Sequence, residues 1–185
     1  MEESVRKVNK FSCDFYRMTG NAYTLSLKNL FLFFTQHNLR FMYLWRKNEN
    51  KPSIITRYRM HRYTKKYGLE ISQNVSIREG MYLGHPYNIT VAEGVKIGKN
   101  VNLHKGCTIG RENRGEREGV PEIGDCVSIG INSTIVGKIH IGNDVMVAPN
   151  SFVNFDVPDH SIVVGNPATI HKNRNATKNY VNFRV

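Results

Sequence analysis

Cysteine is scarce in this chain, which has only Cys13, Cys107 and Cys126 among its 185 residues. An odd number of cysteines without a Cys-x-x-Cys pair does not form a disulfide framework, so a disulfide-stapled secreted domain is excluded. The basic residues near the start are not followed by the apolar segment that a secretory signal contains. Together these observations predict a protein that works in a reducing cytoplasm.

The sequence also lacks a long uninterrupted apolar run. Its most apolar stretch covers residues 25–45, and the polar residues within it are Lys28, Asn29, Gln36, His37, Asn38 and Arg40. A membrane-spanning helix needs roughly 20 mostly apolar residues, so we expect an amphipathic helix that packs against the main domain. A peripheral contact of residues 25–66 with the inner face of the membrane, helped by the surrounding Lys and Arg, is the alternative.

Acidic residues are few in the first third of the chain. Residues 1–66 hold 14 Lys and Arg but only 4 Asp and Glu, whereas residues 67–185 hold 12 and 11. The body of the protein is therefore nearly neutral, which argues against a nucleic-acid partner. We predict a basic amphipathic helical region over residues 1–68, in which Pro52 separates two helical pieces and a basic helix over 58–67 ends near Gly68.

From Ile71 onward a six-residue period replaces the helical one. The aliphatic residues at this spacing are Ile71, Ile77, Leu83 and Ile89, then Val91, Ile97, Leu103 and Ile109, then Ile123, Ile129, Ile135, Ile141, Val147 and Val153. Each six-residue unit supplies one side of a triangular prism, and three units make one coil. The pattern predicts a mainly β fold, a parallel β-helix over residues 69–157, with a small α-helical N-terminal region and a C-terminal cap and tail over 158–185.

Two interruptions break this period. Two extra residues stand between the Ile89 and Val91 frames, and a charged, glycine-rich insertion occupies residues 110–122. We expect the insertion to project from the prism as a loop, because its charges do not fit the interior. Arg114 and Arg117 either hold an acidic group of a substrate or keep the loop solvated, and the sequence leaves both readings open.

His85 and His104 are the two histidines of the repeat that stand next to these interruptions. The six-residue frame places them near one corner of the prism, one coil apart. A neutral imidazole there can take the proton of a hydroxyl group that attacks an acyl carbon, while backbone N–H groups stabilise the oxyanion. The alternative is that both are solvated turn residues. No metal site is expected, because there is no His-x4-His pair and His140 falls on another side.

The hexapeptide run and the ending Val164-Gly165-Asn166-Pro167-Ala168 resemble the hexapeptide-repeat acyltransferases. The stretch from Ile77 to Lys172 is most similar to the catalytic domain of bacterial serine acetyltransferases and of the related capsular or exopolysaccharide O-acetyltransferases. The resemblance implies a left-handed β-helix, a homotrimer, and acetyl-CoA as acyl donor in the groove between two subunits. No permanently bound cofactor is implied.

The resemblance also assigns residues. In serine acetyltransferases the general base belongs to an Asp-His pair on the coil before the large loop; here that pair reads Gly84-His85, so the base carries over to His85, with His104 as a second candidate. The family's Arg-His-Pro segment reads Gly119-Val120-Pro121. Polysaccharide O-acetyltransferases are more similar around GHPYNI and LHKGCTIG. The residues expected at the acceptor are Tyr87, Asn88, Arg114 and Arg117.

For the donor, the resemblance points to small residues that let the pantetheine arm lie close to the wall and to cations that meet the CoA phosphates. The alternative is that the glycines serve only the turns. The small residues are Gly110, Gly130, Gly137 and Ala148, and the cations are Lys172 and Arg174. The function expected from all of this is an acetyl-CoA-dependent O-acetyltransferase acting on a sugar hydroxyl in surface polysaccharide biosynthesis. The alternatives are a serine O-acetyltransferase of cysteine biosynthesis and a non-catalytic or metal-binding scaffold.

Overall fold

The computed structural model describes residues 9–185. Residues 1–8, where the predicted basic region begins and on which the expectation of no secretory signal partly rests, lie outside this range. The helices are α1 (Lys10–Thr19), α2 (Leu27–Thr35), α3 (His37–Asn50) and α4 (Ile54–Tyr67). The strands are β1 (Leu69–Ile71), β2 (Ser76–Ile77), β3 (Tyr82–Gly84), β4 (Ile89–Val91), β5 (Lys96–Ile97), β6 (Asn102–His104), β7 (Thr108–Gly110), β8 (Glu122–Ile123), β9 (Ser128–Ile129), β10 (Thr134–Val136), β11 (His140–Ile141), β12 (Val145–Val147), β13 (Phe152–Val153), β14 (Ser161–Gly165) and β15 (Ala168–Lys172).

The helices begin and end where capping residues allow. The hydroxyl of Ser53 accepts a hydrogen bond from the backbone N–H of Thr56 at the start of α4, and Gly68 ends that helix with a left-handed φ of 65°. The basic helix is thus longer than predicted, because a serine cap stands directly after Pro52. Residues 25–45 form two helices rather than one, since Gln36 has an extended backbone between α2 and α3.

The strands form three parallel sheets that wrap around one axis as a left-handed β-helix of about five turns. The first sheet has the order β1-β4-β7-β10-β13, the second β2-β5-β8-β11, and the third β3-β6-β9-β12-β14-β15. Each turn contributes one strand to each sheet, as the six-residue period predicts. In the first sheet, one interior column of aligned residues is Ile71, Val91, Ile109, Ile135 and Val153. All of these are buried, and burying one such side chain stabilises the fold by about 1.5–3 kcal/mol.

The β-helix continues one strand beyond residue 157. Val157 forms a parallel bridge with Ile141, and β14 then pairs in parallel with β12. Pro158 does not stop the coil, because it lies in a corner between strands, where no ladder N–H is needed. The antiparallel strand β15 pairs with β14 and covers the outer edge of the third sheet.

The helical region is fastened to the first turn by a buried ion pair. Arg46 Nε donates to Asp14 Oδ2 at 2.7 Å, and the two side chains are almost fully buried. Asp14 Oδ1 also accepts from the backbone N–H groups of Gly80 (3.0 Å) and Met81 (2.8 Å), just before β3. Arg46 donates in turn to the carbonyl of Ile77 at 2.8 Å. The helices α1 and α3 therefore fix the corner from which β3 starts.

Within residues 9–185, none of the helices has the length and apolar character that a membrane crossing requires.

Candidate active site

The structure places His85 and His104 on adjacent turns at the same corner. Strand β3 pairs in parallel with β6, and Gly84 lies directly opposite His104. His85 follows Gly84 with a left-handed φ of 48°. Its side chain is exposed, whereas that of His104 is half-buried. The corner thus presents one imidazole to solvent and holds a second one beside it, one turn further along the β-helix.

This corner is wider than its equivalents because of the two extra residues. Leu83 and Val91 are eight positions apart, whereas the matching residues Leu103 and Ile109 one turn later are six apart. The additional chain carries His85 away from the wall. These two extra residues are the interruption that the sequence pattern shows between the Ile89 and Val91 frames.

The N-terminal helices hold the widened corner. The backbone N–H of Asn88 donates to the carbonyl of Tyr67 at 2.9 Å, and His37 Nε2 lies 3.3 Å from the carbonyl of Pro86. The His37 and Tyr67 rings stack with centroids 4.1 Å apart, and Tyr87 packs edge-on against both. The ends of α3 and α4 therefore fix the backbone on either side of Tyr87, directly after His85.

His104 is a neutral group at physiological pH. Burial lowers the pKa of His104, and the neighbouring His85 lowers it further. Its ring centroid lies 6.0 Å from that of Tyr82. Arg17 lies over the other side of this cluster, 5.8 Å from the Tyr82 ring centroid. Burial lowers the pKa of Arg17 to about 10, so its guanidinium stays charged and donates to Gly80 O and Asn102 Oδ1.

Gly84 has no side chain because His104 occupies the space. A Cβ on Gly84 would lie 2.5 Å from Nδ1 and 2.8 Å from Cε1 of His104. The backbone of Gly84 is not left-handed, so steric contact alone excludes a larger residue. A glycine therefore replaces the family's aspartate at position 84, because the imidazole of His104 fills the space that a side chain there would need.

Gly84→Ala is therefore expected to be destabilising by about 1 kcal/mol in the wild-type background, because the imidazole must move. In a His104→Ala background the same change should be neutral, or stabilising by about 0.4–1 kcal/mol, since it only stiffens the unfolded chain. Urea unfolding of the four proteins of this double-mutant cycle measures the coupling. Equal effects in the two backgrounds would show that the contact is unimportant.

The residues predicted to bind the donor lie on two edges of the first sheet. Gly130 and Ala148 follow β9 and β12 and continue the line of Gly84 and His104 along the third sheet. Gly130 is required there, because a Cβ would lie 2.6 Å from the backbone nitrogen of Pro149. Gly110 and Gly137 lie at the opposite edge, where the first sheet turns into the second.

The insertion leaves the wall at this opposite edge. It covers residues 111–121 and forms a hairpin in which Glu112 and Gly119 exchange two backbone hydrogen bonds of 2.9 Å. The backbone N–H of Lys138 donates to the carbonyl of Arg117 at 2.9 Å, so the hairpin contacts the next turn of the β-helix. Arg114 and Arg117 are exposed. Within residues 9–185, no hydrogen bond joins the hairpin to the histidine corner.

The other predicted residues are dispersed. Tyr87 and Asn88 belong to the histidine corner. Asn88 has a left-handed backbone, and its side chain lies over Gly68, whose backbone is also left-handed. Lys172 is opposite Ser161 on the capping strand. Arg174 lines a separate cleft of about 380 Å³ near Asp144 and His160. A single chain thus brings together His85, His104, Tyr87, Gly130 and Ala148, but not the loop arginines or the tail cations.

Cys107 points into the β-helix and is fully buried. Burial raises the pKa of its thiol to about 12, so it is not a nucleophile at neutral pH. In the part of the chain that the structure describes, no three His, Cys, Asp or Glu side chains converge as a metal site would require.

Sequence reasoning missed the residues that support the corner from the helical region. His37, Tyr67 and Arg17 contact it or its neighbours, yet none of them belongs to the six-residue repeat. The aromatic and basic content of residues 1–68 was the available signal, but it does not say which residues reach the β-helix.

Three known proteins that this chain is similar to are serine acetyltransferases. Serine acetyltransferase 2 of Arabidopsis thaliana is 37% identical over 109 residues, which cover 59% of this chain and 34% of that protein. The serine acetyltransferase of Helicobacter pylori is 29% identical over 139 residues, 75% of each chain. The crystal structure of the Neisseria gonorrhoeae serine acetyltransferase in complex with serine superposes with a TM-score of 0.73 at 24% identity, covering 87% of this chain and 67% of the other.

No family model matches the sequence, and the chain spans about a third of the length of the Arabidopsis relatives it matches. Fold and site together define a left-handed β-helix of hexapeptide repeats with a histidine corner. These similarities support the hexapeptide-repeat acyltransferase family for this chain, with serine acetyltransferases as the relatives that it resembles.

Proposed function

We propose that the protein is an O-acetyltransferase that moves the acetyl group of acetyl-CoA to a hydroxyl group of a small acceptor, with His85 as general base. The observation that carries the proposal is the exposed His85 on a widened corner next to the neutral His104. Similarity to serine acetyltransferases supports the reaction type.

The imidazole of His85 removes the proton of the acceptor hydroxyl as its oxygen attacks the thioester carbon of acetyl-CoA. The tetrahedral intermediate then loses CoA by cleavage of the C–S bond, and the imidazolium returns the proton to the departing thiolate. The products are an acetyl ester and free CoA. His104 stands where the side chain of an aspartate at position 84 would lie, so it replaces that group as the polar neighbour of the base.

The division of the donor residues over two edges supports assembly as a homotrimer. In a groove between two subunits, Gly130 and Ala148 of one chain would face the edge of the neighbouring chain's first sheet from which the hairpin projects. Such a groove would supply Gly110, Gly137 and the loop arginines to the histidine corner. We also propose a cytoplasmic location, with which the three unpaired cysteines are compatible.

L-Serine is the acceptor that the comparisons favour over the sugar expected from the sequence. The relatives named above are serine acetyltransferases, and the superposed Neisseria structure is described as a complex with serine. A sugar hydroxyl remains the second candidate, because two parts of the serine acetyltransferase pattern are replaced here. Gly84 stands in place of the aspartate, and Gly119-Val120 in place of the Arg-His of the loop.

The experiment is release of free thiol from acetyl-CoA in the presence of serine, simple sugars or nucleotide sugars. Serine-dependent release is the expected result. Release with a sugar alone would support the second candidate and retain the reaction type. CoA binding without release for any acceptor would contradict both acceptors, and absence of acetyl-CoA binding would contradict the whole proposal.

A further inference from the structure

Helix α2 exposes its apolar residues and buries a polar one. Leu27, Leu30, Phe31 and Phe34 recur at the spacing of one helix face, and 86%, 51%, 68% and 65% of their respective surfaces are exposed. The one buried residue of this helix is Asn29, which is only 6% exposed. Leu32 and Phe33 pack against the core on the inner side, so α2 also carries a second apolar face that is exposed.

Polar contacts maintain this orientation. Asn29 Nδ2 donates to the carbonyls of Ala22 at 2.9 Å and Thr24 at 3.1 Å. At the other end of the helix, the Arg40 guanidinium donates to the carbonyls of Phe33 (3.0 Å) and Phe34. Because these hydrogen bonds and the packing of Leu32 and Phe33 against the core hold α2 in place, the apolar face on its outer side stays available for a partner.

A basic cleft adjoins the apolar face. The cleft has a volume of about 670 Å³, and the cations that line it are Arg40, Arg59, Arg62, Lys65 and Lys66. A second cavity of about 420 Å³ under α2 shares Phe33 and Tyr43 with it, so the two surfaces are continuous. Helix α4 contains no acidic residue, and among residues 9–185 its cations form no salt bridge.

We propose that this surface, the exposed face of α2 with the basic cleft of α4, docks the protein on an anionic lipid bilayer. An amphipathic helix inserts its apolar residues at the boundary of headgroups and acyl chains, and neighbouring cations bind acidic lipids. Both elements are present side by side here, which satisfies the need for two signals in stable membrane binding. The proposal does not depend on the acetyl transfer reaction.

A second copy of the chain fits this surface less well. Symmetric pairing through α2 would bring two sets of α4 cations towards each other without an acidic counterpart on the surface. An anionic bilayer supplies negative charge along the whole cleft and an apolar layer for Phe31 and its neighbours. Charge complementarity therefore selects the bilayer.

The test is flotation of the full chain with vesicles of phosphatidylcholine containing phosphatidylglycerol, compared with phosphatidylcholine alone. We expect binding to the anionic vesicles only, weakened by salt. Phe31→Asp and the double variant Arg62→Glu/Lys65→Glu should each weaken it by roughly tenfold or more. The matched controls are Tyr180→Asp, an exposed aromatic residue of the tail, and Lys178→Glu, and they should bind like wild type.

Two results would overturn the proposal. One is equal binding, or no binding, with the two kinds of vesicle while circular dichroism shows a folded protein. The other is a Phe31→Asp variant that floats like wild type. If sedimentation without vesicles shows an assembly that Phe31→Asp breaks, and no vesicle binding occurs, the surface joins copies of this chain instead.

Discussion

His85→Ala is expected to lower kcat for acetyl transfer by about a hundredfold to ten-thousandfold, the range that a general base supplies. The side chain is exposed, so its loss leaves the packing of the corner intact. The backbone at this position is left-handed, a conformation that Asn and His adopt more readily than Ala, so His85→Asn removes the base with less backbone strain than His85→Ala. Both variants should therefore bind acetyl-CoA like wild type and lose only turnover.

The matched control is His140→Ala, which removes an exposed histidine from β11 on the second sheet. It should retain wild-type kcat. His104→Ala should cost less than His85→Ala if His104 orients the acceptor or the base. Thiol release under saturating acetyl-CoA measures all four variants, and full activity in both His85 variants would refute the assignment of the base.

The β-helix could be predicted from the sequence because its core follows a local rule. Each side of the prism needs one inward aliphatic residue, so Ile97 and Ile123 reveal their strands by spacing alone. The same frame places His85 and His104 at one corner, since their positions follow from Leu83 and Leu103. The hairpin can also be located from the sequence, because it interrupts the six-residue period.

The helical region could not be placed in the same way. Its contacts with the β-helix join residues far apart in sequence, such as Arg46 with Ile77 and His37 with Pro86, and no period connects them. The side of α2 that faces the core is set partly by hydrogen bonds of Asn29, which sequence hydrophobicity does not register.

Asp14→Asn is expected to lower the free energy of unfolding by about 3–5 kcal/mol, because it removes the buried counter-charge of the Arg46 guanidinium and leaves only the partly exposed Glu49. Asp14 is fully buried, and its two oxygens accept from Arg46, Gly80 and Met81. The asparagine amide has the same size and keeps one acceptor oxygen. Its NH2 group, however, would face the N–H donors that the second carboxylate oxygen now accepts from. Since Gly80 and Met81 lead into β3, the loss also loosens the strand that carries Gly84.

Glu49→Gln is the matched control for this change. Glu49 contacts the same arginine, with Arg46 Nη1 to Glu49 Oε2 at 3.1 Å, but its side chain is 27% exposed. Solvent screens that pair, so its removal should cost about 1 kcal/mol or less. Urea unfolding of both variants at neutral pH separates the two effects. Similar losses for Asp14→Asn and Glu49→Gln would mean that water reaches the Asp14–Arg46 pair and that the helices are fastened to the first turn mainly by apolar packing around Phe15 and Trp45.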